Sequence, residues 1–172
     1  RLRRARGRWM RVGFLLRSSQ SSLRYLNRVH DEFGVDFIVV ERDGRWVTRL
    51  KRKYRQNTLG DTLGLGLSLA WRMLKSMLLK KSETEVESFP EDVPRIEVDH
   101  INCQKTVLLL EERKPDVLLI RGTSIVKHEV LGLAKRSLNV HAGLSPYYRG
   151  THCTGWALLN WDPYNVGSTL HY

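Results

Sequence analysis

Strand-length apolar runs alternate with stretches of helical period along most of this chain, and that alternation limits the possible folds more than any other feature. RVGFLL (11–16) reads as a short buried strand, and RSSQSS (17–22) as a polar turn rich in helix-capping hydroxyls. Leu23, Leu26, Val29 and Phe33 then recur at helical spacing up to Gly34, and VDFIVVE (35–41) is a second strand-length run. A β-α-β opening of this kind favours a parallel sheet with right-handed crossovers and places ligands at the carboxyl ends of the strands. The alternation resumes with RIEVDHI (95–101) as strand, CQKTVLLLEERK (103–114) as helix, PDVLLIRG (115–122) as strand and IVKHEVLGLAKR (125–136) as helix. SLNVHAGL (137–144) is a further strand running into a loop, GWALLN (155–160) a short helix and VGSTLHY (166–172) a last strand. The expected class is a three-layer α/β fold on a mainly parallel sheet.

Between the two regular regions, residues 42–58 are charged and expected as loop, and 83–92 form an acidic connector with Pro90. The leucine-rich stretch 59–80 is too short to span a membrane: its uncharged core, 62–71, is half the roughly 20 residues a spanning helix needs. An amphipathic helix is expected there. Charge is one-sided: residues 1–81 carry 20 Lys/Arg against 6 Asp/Glu, and residues 82–172 carry 9 against 12, so the net +11 belongs to the first half. Such a surface suits nucleic acid, anionic lipid or a phosphorylated substrate, or is simply a solvated face. Two cysteines, Cys103 and Cys153, make no disulfide framework and point to free thiols in a reducing cytoplasm. The arginine-rich start runs into only about five apolar residues, too few for a secretory signal core, so residues 1–10 are expected to be a basic extension.

The chemistry concentrates in 137–171. Asn139 and His141 stand two apart on a strand, so both side chains share a face at a strand end, beside a loop containing Gly143, Pro146 and Gly150. The order of the whole segment is more specific: a strand LxNxH, then GLSPYYRG, a helix with WALLN, and GSTLH. This segment resembles the folate-dependent formyltransferases, the family that includes methionyl-tRNA, glycinamide ribonucleotide and sugar-amine formyltransferases. The similarity is densest over 115–172, and the β-α-β opening at 11–41 fits the same Rossmann-like fold.

The resemblance implies that residues 11–172 are a formyltransferase-type catalytic domain with 59–80 as a helical insertion, incomplete at its C-terminal edge. It implies 10-formyltetrahydrofolate as formyl donor and an amine as acceptor, with Asn139 and His141 as two members of an Asn/His/Asp catalytic set. When an amine attacks the formyl carbon, negative charge develops on the formyl oxygen, and an amide or an imidazole N–H can stabilise it. The family's aspartate follows the GxTxH strand and is expected beyond Tyr172, so these 172 residues alone are expected to have little or no activity; Asp162 precedes that strand and is not assigned the role. Backbone after the preceding strand, Gly122, Thr123, Ser124, Ile125 and Val126, is implied in the pterin pocket, and Arg149 and Gly150 match a YRG element on the substrate side. Gly143 departs from the family, which commonly has serine there. After the first strand the glycine-rich phosphate loop of glycinamide ribonucleotide formyltransferase is absent; Ser18, Ser19, Ser21 and Ser22 stand in its place, able to hold an anion or to cap a helix. A tRNA-linked or sugar-linked amine is therefore favoured as acceptor, and the basic first half admits tRNA as partner.

Other readings remain at this point. A deformylase passing the formyl group to water would use the same kind of site, and a basic α/β module could bind nucleic acid without catalysis. His141, His152, Cys153 and His171 are near in sequence but match no zinc spacing, so no metal is expected. Gly143-Leu144-Ser145-Pro146-Tyr147 lacks the second glycine of a hydrolase nucleophile elbow.

Overall fold

The computed structural model describes residues 4–5, 8–42 and 86–172. A six-stranded sheet forms its centre. In chain order its strands are β3 (Val12–Arg17), β4 (Phe37–Glu41), β5 (Arg95–Val98), β6 (Val117–Arg121), β7 (Arg136–His141) and β8 (Thr169–His171), and in space they run β5-β4-β3-β6-β7-β8. The first five are parallel, and β8 pairs antiparallel to β7. The strand order reverses between β3 and β6, which makes the carboxyl ends of those two strands the topological switch point of a doubly wound sheet. Upstream, β1 (Arg4–Ala5) and β2 (Arg8–Trp9) pair with each other as a separate antiparallel ribbon.

Both faces of the sheet are covered. Helix α1 (Gln20–Phe33) lays Leu23 and Leu26 on Val12, Phe14, Leu16, Ile38 and Val40. On the other face Leu110 of α2 (Gln104–Arg113) and Val130 of α3 (His128–Leu131) pack on Leu15, Phe37, Val39, Leu118 and Ile120. Strands covered on both sides read as continuous apolar runs, which is why FLL, FIVV and VLLI mark them so clearly. Gly13 is fixed by this packing, because a Cβ there would sit 2.3 Å from the Phe37 ring. At the amino ends of the strands two aspartates take backbone N–H groups: Asp36 accepts from Val12 (2.6 Å) and Asp116 from Arg11 (2.9 Å). The opposite, carboxyl ends are left for the site.

Three elements are much shorter than their sequence suggests, the first being β8, which covers only Thr169–His171 of the run 166–172. Strand β5 stops at Val98 because Ile101 gives its N–H to Glu41 at the end of β4, turning the chain out of the ladder. The helix expected over 125–136 is a single turn, α3. Asn102 holds the start of that segment extended, donating to Ile125 O (2.9 Å) and accepting from Lys127 N (2.7 Å). At its other end Lys135 and Arg136 give their N–H groups to Pro115 and Asp116, which begins β7. The expected loop at 42–58 and helix at 59–80 lie outside the described residues, apart from Arg42. Among the described residues no helix is long and apolar enough to cross a membrane.

Candidate active site at the carboxyl ends of the strands

The expected site residues converge on one end of the sheet. Asn139 is the register partner of Ile120 on β6 and of His171 on β8, and His141 is the partner of Thr169, so Asn139 and His141 share a face with Thr169 and His171. Asn139 Nδ2 lies 3.2 Å from His171 Nε2, and His171 Nδ1 lies 3.1 Å from the carbonyl of Tyr172. A carbonyl only accepts, so Nδ1 of His171 carries the proton and Nε2 accepts from the amide. One N–H of Asn139 is thereby used to orient the side chain.

The loop after β6 contains Gly122, Thr123, Ser124, Ile125 and Val126. Gly122 has a positive φ of 68° and Ser22 of α1 lies beside it, so the loops after β3 and β6 meet at the switch point. The position of this loop is set by Glu41, a residue that sequence reasoning passed over. Glu41 is 2% exposed at the end of β4. Its carboxylate accepts from Arg17 (2.5 Å), from Ile101 N (3.0 Å), from Ser124 N (2.7 Å) and from the Ser124 hydroxyl. Burial by itself pushes the Glu41 carboxyl upward, but the hydrogen bonds from Ser124 and Ile101 and the charge of Arg17 outweigh it and hold the group below its ordinary value. A charged residue ending the apolar run FIVVE was the available signal.

The serines after β3 divide by role. Ser19 caps α1, accepting from Ser22 N (3.2 Å), and its hydroxyl donates to Ser22 Oγ (2.9 Å). Ser22 is buried, whereas Ser18 and Ser21 are exposed.

Beyond β7 the loop carrying Arg149 and Gly150 is tied to β8 and to the segment before it. Thr169 Oγ1 accepts from Ser145 N (2.9 Å) and donates to Gly143 O (2.7 Å), and Asp162 accepts from the Tyr148 hydroxyl (3.0 Å) and from Asn165. Asp162 is thus a structural carboxylate. Arg149 and Gly150 are exposed, the latter with φ +87°. Helix α4 (Cys153–Leu159) starts beyond them, and Cys153 Sγ reaches His141 Nε2 at 3.5 Å and Gly150 O at 3.5 Å. Among the described residues no three His, Cys, Asp or Glu side chains gather as a metal ion would require.

Fold and site together define a Rossmann-like, doubly wound α/β protein whose polar side chains gather where the parallel strands end. No family model matches the chain. Over 70 residues it is 34% identical to methionyl-tRNA formyltransferase of Desulforamulus reducens, a stretch covering 40% of this chain and 22% of that protein. Over 92 residues it is 30% identical to the bifunctional polymyxin resistance protein ArnA of Wigglesworthia glossinidia brevipalpis, covering 52% of this chain and 14% of that one. Phosphoribosylglycinamide formyltransferase of Anaplasma phagocytophilum has the same fold, with a TM-score of 0.55 at 16% identity over 95% of this chain and 64% of that chain. Glycinamide ribonucleotide transformylase 1 of Geobacillus kaustophilus is similar to the same degree, with a TM-score of 0.55 at 15% identity over 95% and 73%. The chain is thus similar in sequence to formyltransferases over these stretches and shares the fold of solved ones. It spans well under two thirds of the length of its curated relatives, 22% and 14% in the two matches above.

Proposed function

We propose that this protein transfers a formyl group from 10-formyltetrahydrofolate to an amine, with the reacting carbon held beside Asn139 and His141. The observation that supports this most is the pairing of these two side chains on one face at the end of β7, one strand from the switch point, in a chain 34% identical over 70 residues to a methionyl-tRNA formyltransferase. The amine nitrogen attacks the formyl carbon, the bond from that carbon to N10 of the folate breaks, and the proton lost by the amine ends on N10. The other N–H of Asn139 stabilises the charge that develops on the formyl oxygen, and His141 takes the proton from the amine and then, as imidazolium, donates to the same oxygen.

In this reading the pterin lies against Gly122, Thr123, Ser124, Ile125 and Val126, whose position Glu41 and Asn102 fix. The acceptor approaches along Ser18, Ser19, Ser21 and Ser22 on one side and Arg149 and Gly150 on the other. Serine in place of glycine after β3 favours a methionyl-tRNA or amino-sugar acceptor over glycinamide ribonucleotide, and the basic first half suits tRNA. Two free thiols fit a cytoplasmic protein.

The test is a panel assay, on the full-length protein, of formyl transfer from 10-formyltetrahydrofolate to methionyl-tRNA, to amino sugars and to glycinamide ribonucleotide, with formate release followed in parallel. Formylation of one of the first two supports the reading. Formate release without an amine product moves the protein to hydrolysis. Salt-sensitive nucleic-acid binding with no folate binding would replace the reading by a non-catalytic one.

A further inference from the structure

Cys153 and Gly143 form a contact with His141 that the roles above do not use. Cys153 is 3% exposed at the start of α4, and its sulfur lies 3.5 Å from His141 Nε2 and 3.5 Å from Gly150 O. The space between strand and helix is filled: a Cβ on Gly143 would come within 2.7 Å of Cys153 Sγ, of His141 Nε2 and of the Tyr148 carbonyl. A glycine at 143 is what allows sulfur and imidazole to meet. A thiol carries one proton, and the carbonyl of Gly150 can only accept. With the thiol proton directed to Gly150 O, the sulfur lone pairs face His141, and Nε2 must be the protonated nitrogen of the neutral ring. That leaves Nδ1, which no described residue engages, as the ring's acceptor.

We infer that Cys153 is a positioning residue that holds neutral His141 in its Nε2–H form and so selects Nδ1 as the nitrogen that takes the proton from the attacking amine. The inference rests on the proposed transfer for its functional meaning, whereas the tautomer is a property of the resting chain and is measured without turnover. Serine at 153 can still accept from Nε2–H, while alanine cannot.

The experiment is nitrogen-15 NMR of the imidazoles in the 172-residue chain, at a pH where His141 is neutral, for wild type, Cys153→Ser and Cys153→Ala, with His141→Gln to assign its signals. Wild type and Cys153→Ser should show Nε2 protonated and Nδ1 unprotonated, and Cys153→Ala a mixture of the two tautomers. Gly143→Ala, which wedges a methyl between sulfur and ring, should give the same mixture with the thiol intact. A wild-type ring protonated at Nδ1, or a Cys153→Ala ring with the wild-type pattern, overturns the inference. Loss of formyl transfer in every assay, with the tautomer pattern as expected, would sink the proposed activity and leave the contact standing.

Discussion

The loop after β6 is fastened by buried groups among the central strands, whereas the loop after β7 is fastened by β8 and the segment before it. The first is gripped by a buried carboxylate, Glu41, and by Asn102, between strands covered on both faces. The second is tied by Thr169 of β8 to Ser145 and Gly143, and by Asp162 to Tyr148 and Asn165. The two loops are thus fastened by different groups, a buried carboxylate on one side and a hydroxyl with a half-buried carboxylate on the other.

The largest effect that would test this contrast lies in the core. Phe37→Ala should lower unfolding free energy by about 3–5 kcal/mol, because the ring fills the space over Gly13 and the cavity cannot close. Denaturant titration measures it; a loss near that of a surface change would mean the centre is not where stability resides.

Glu41→Gln comes next, at about 2–3 kcal/mol, since it weakens several charge-assisted hydrogen bonds at once. Its pH dependence has a definite sign. The folded carboxyl binds its proton less readily than the unfolded one, so its contribution is complete above the unfolded value and disappears as pH falls through the lower folded value. Wild type should lose stability on acidification below the ordinary glutamate range, and Glu41→Gln should show a shallower slope there. Equal slopes would remove Glu41 as the fastening of the loop after β6.

Thr169→Val is expected to cost only about 1 kcal/mol, one hydroxyl's two hydrogen bonds being lost. Its signature is local: amide exchange should quicken over 143–150 and stay unchanged over 122–127. Acceleration in both loops would dissolve the contrast between them.

Much of this arrangement was legible in the residues. The apolar runs at 12–16, 37–40 and 117–120 became central strands, and the spacing of Leu23 and Leu26 marked the buried face of α1. Asn139 and His141 could be put on one face from their spacing alone. What could not be read depends on distant partners. The shortening of the 125–136 helix comes from Asn102, 23 residues before Ile125. The antiparallel direction of β8 is invisible in a three-residue strand. Glu41 drew no role from the sequence, because its donors Ser124 and Ile101 are 83 and 60 residues away. The Cys153 contact likewise needs Gly143 and the fold that brings α4 back to β7.

The central claim is that Asn139 and His141 carry formyl transfer without carrying the fold. The most direct measurement, on the full-length protein, is the rate of transfer from 10-formyltetrahydrofolate to the best acceptor for wild type, Asn139→Ala and His141→Ala, beside the denaturation midpoint of each. The account predicts a fall in kcat of about 10²–10³-fold for each variant, with midpoints close to wild type. Transfer that survives both substitutions would contradict it.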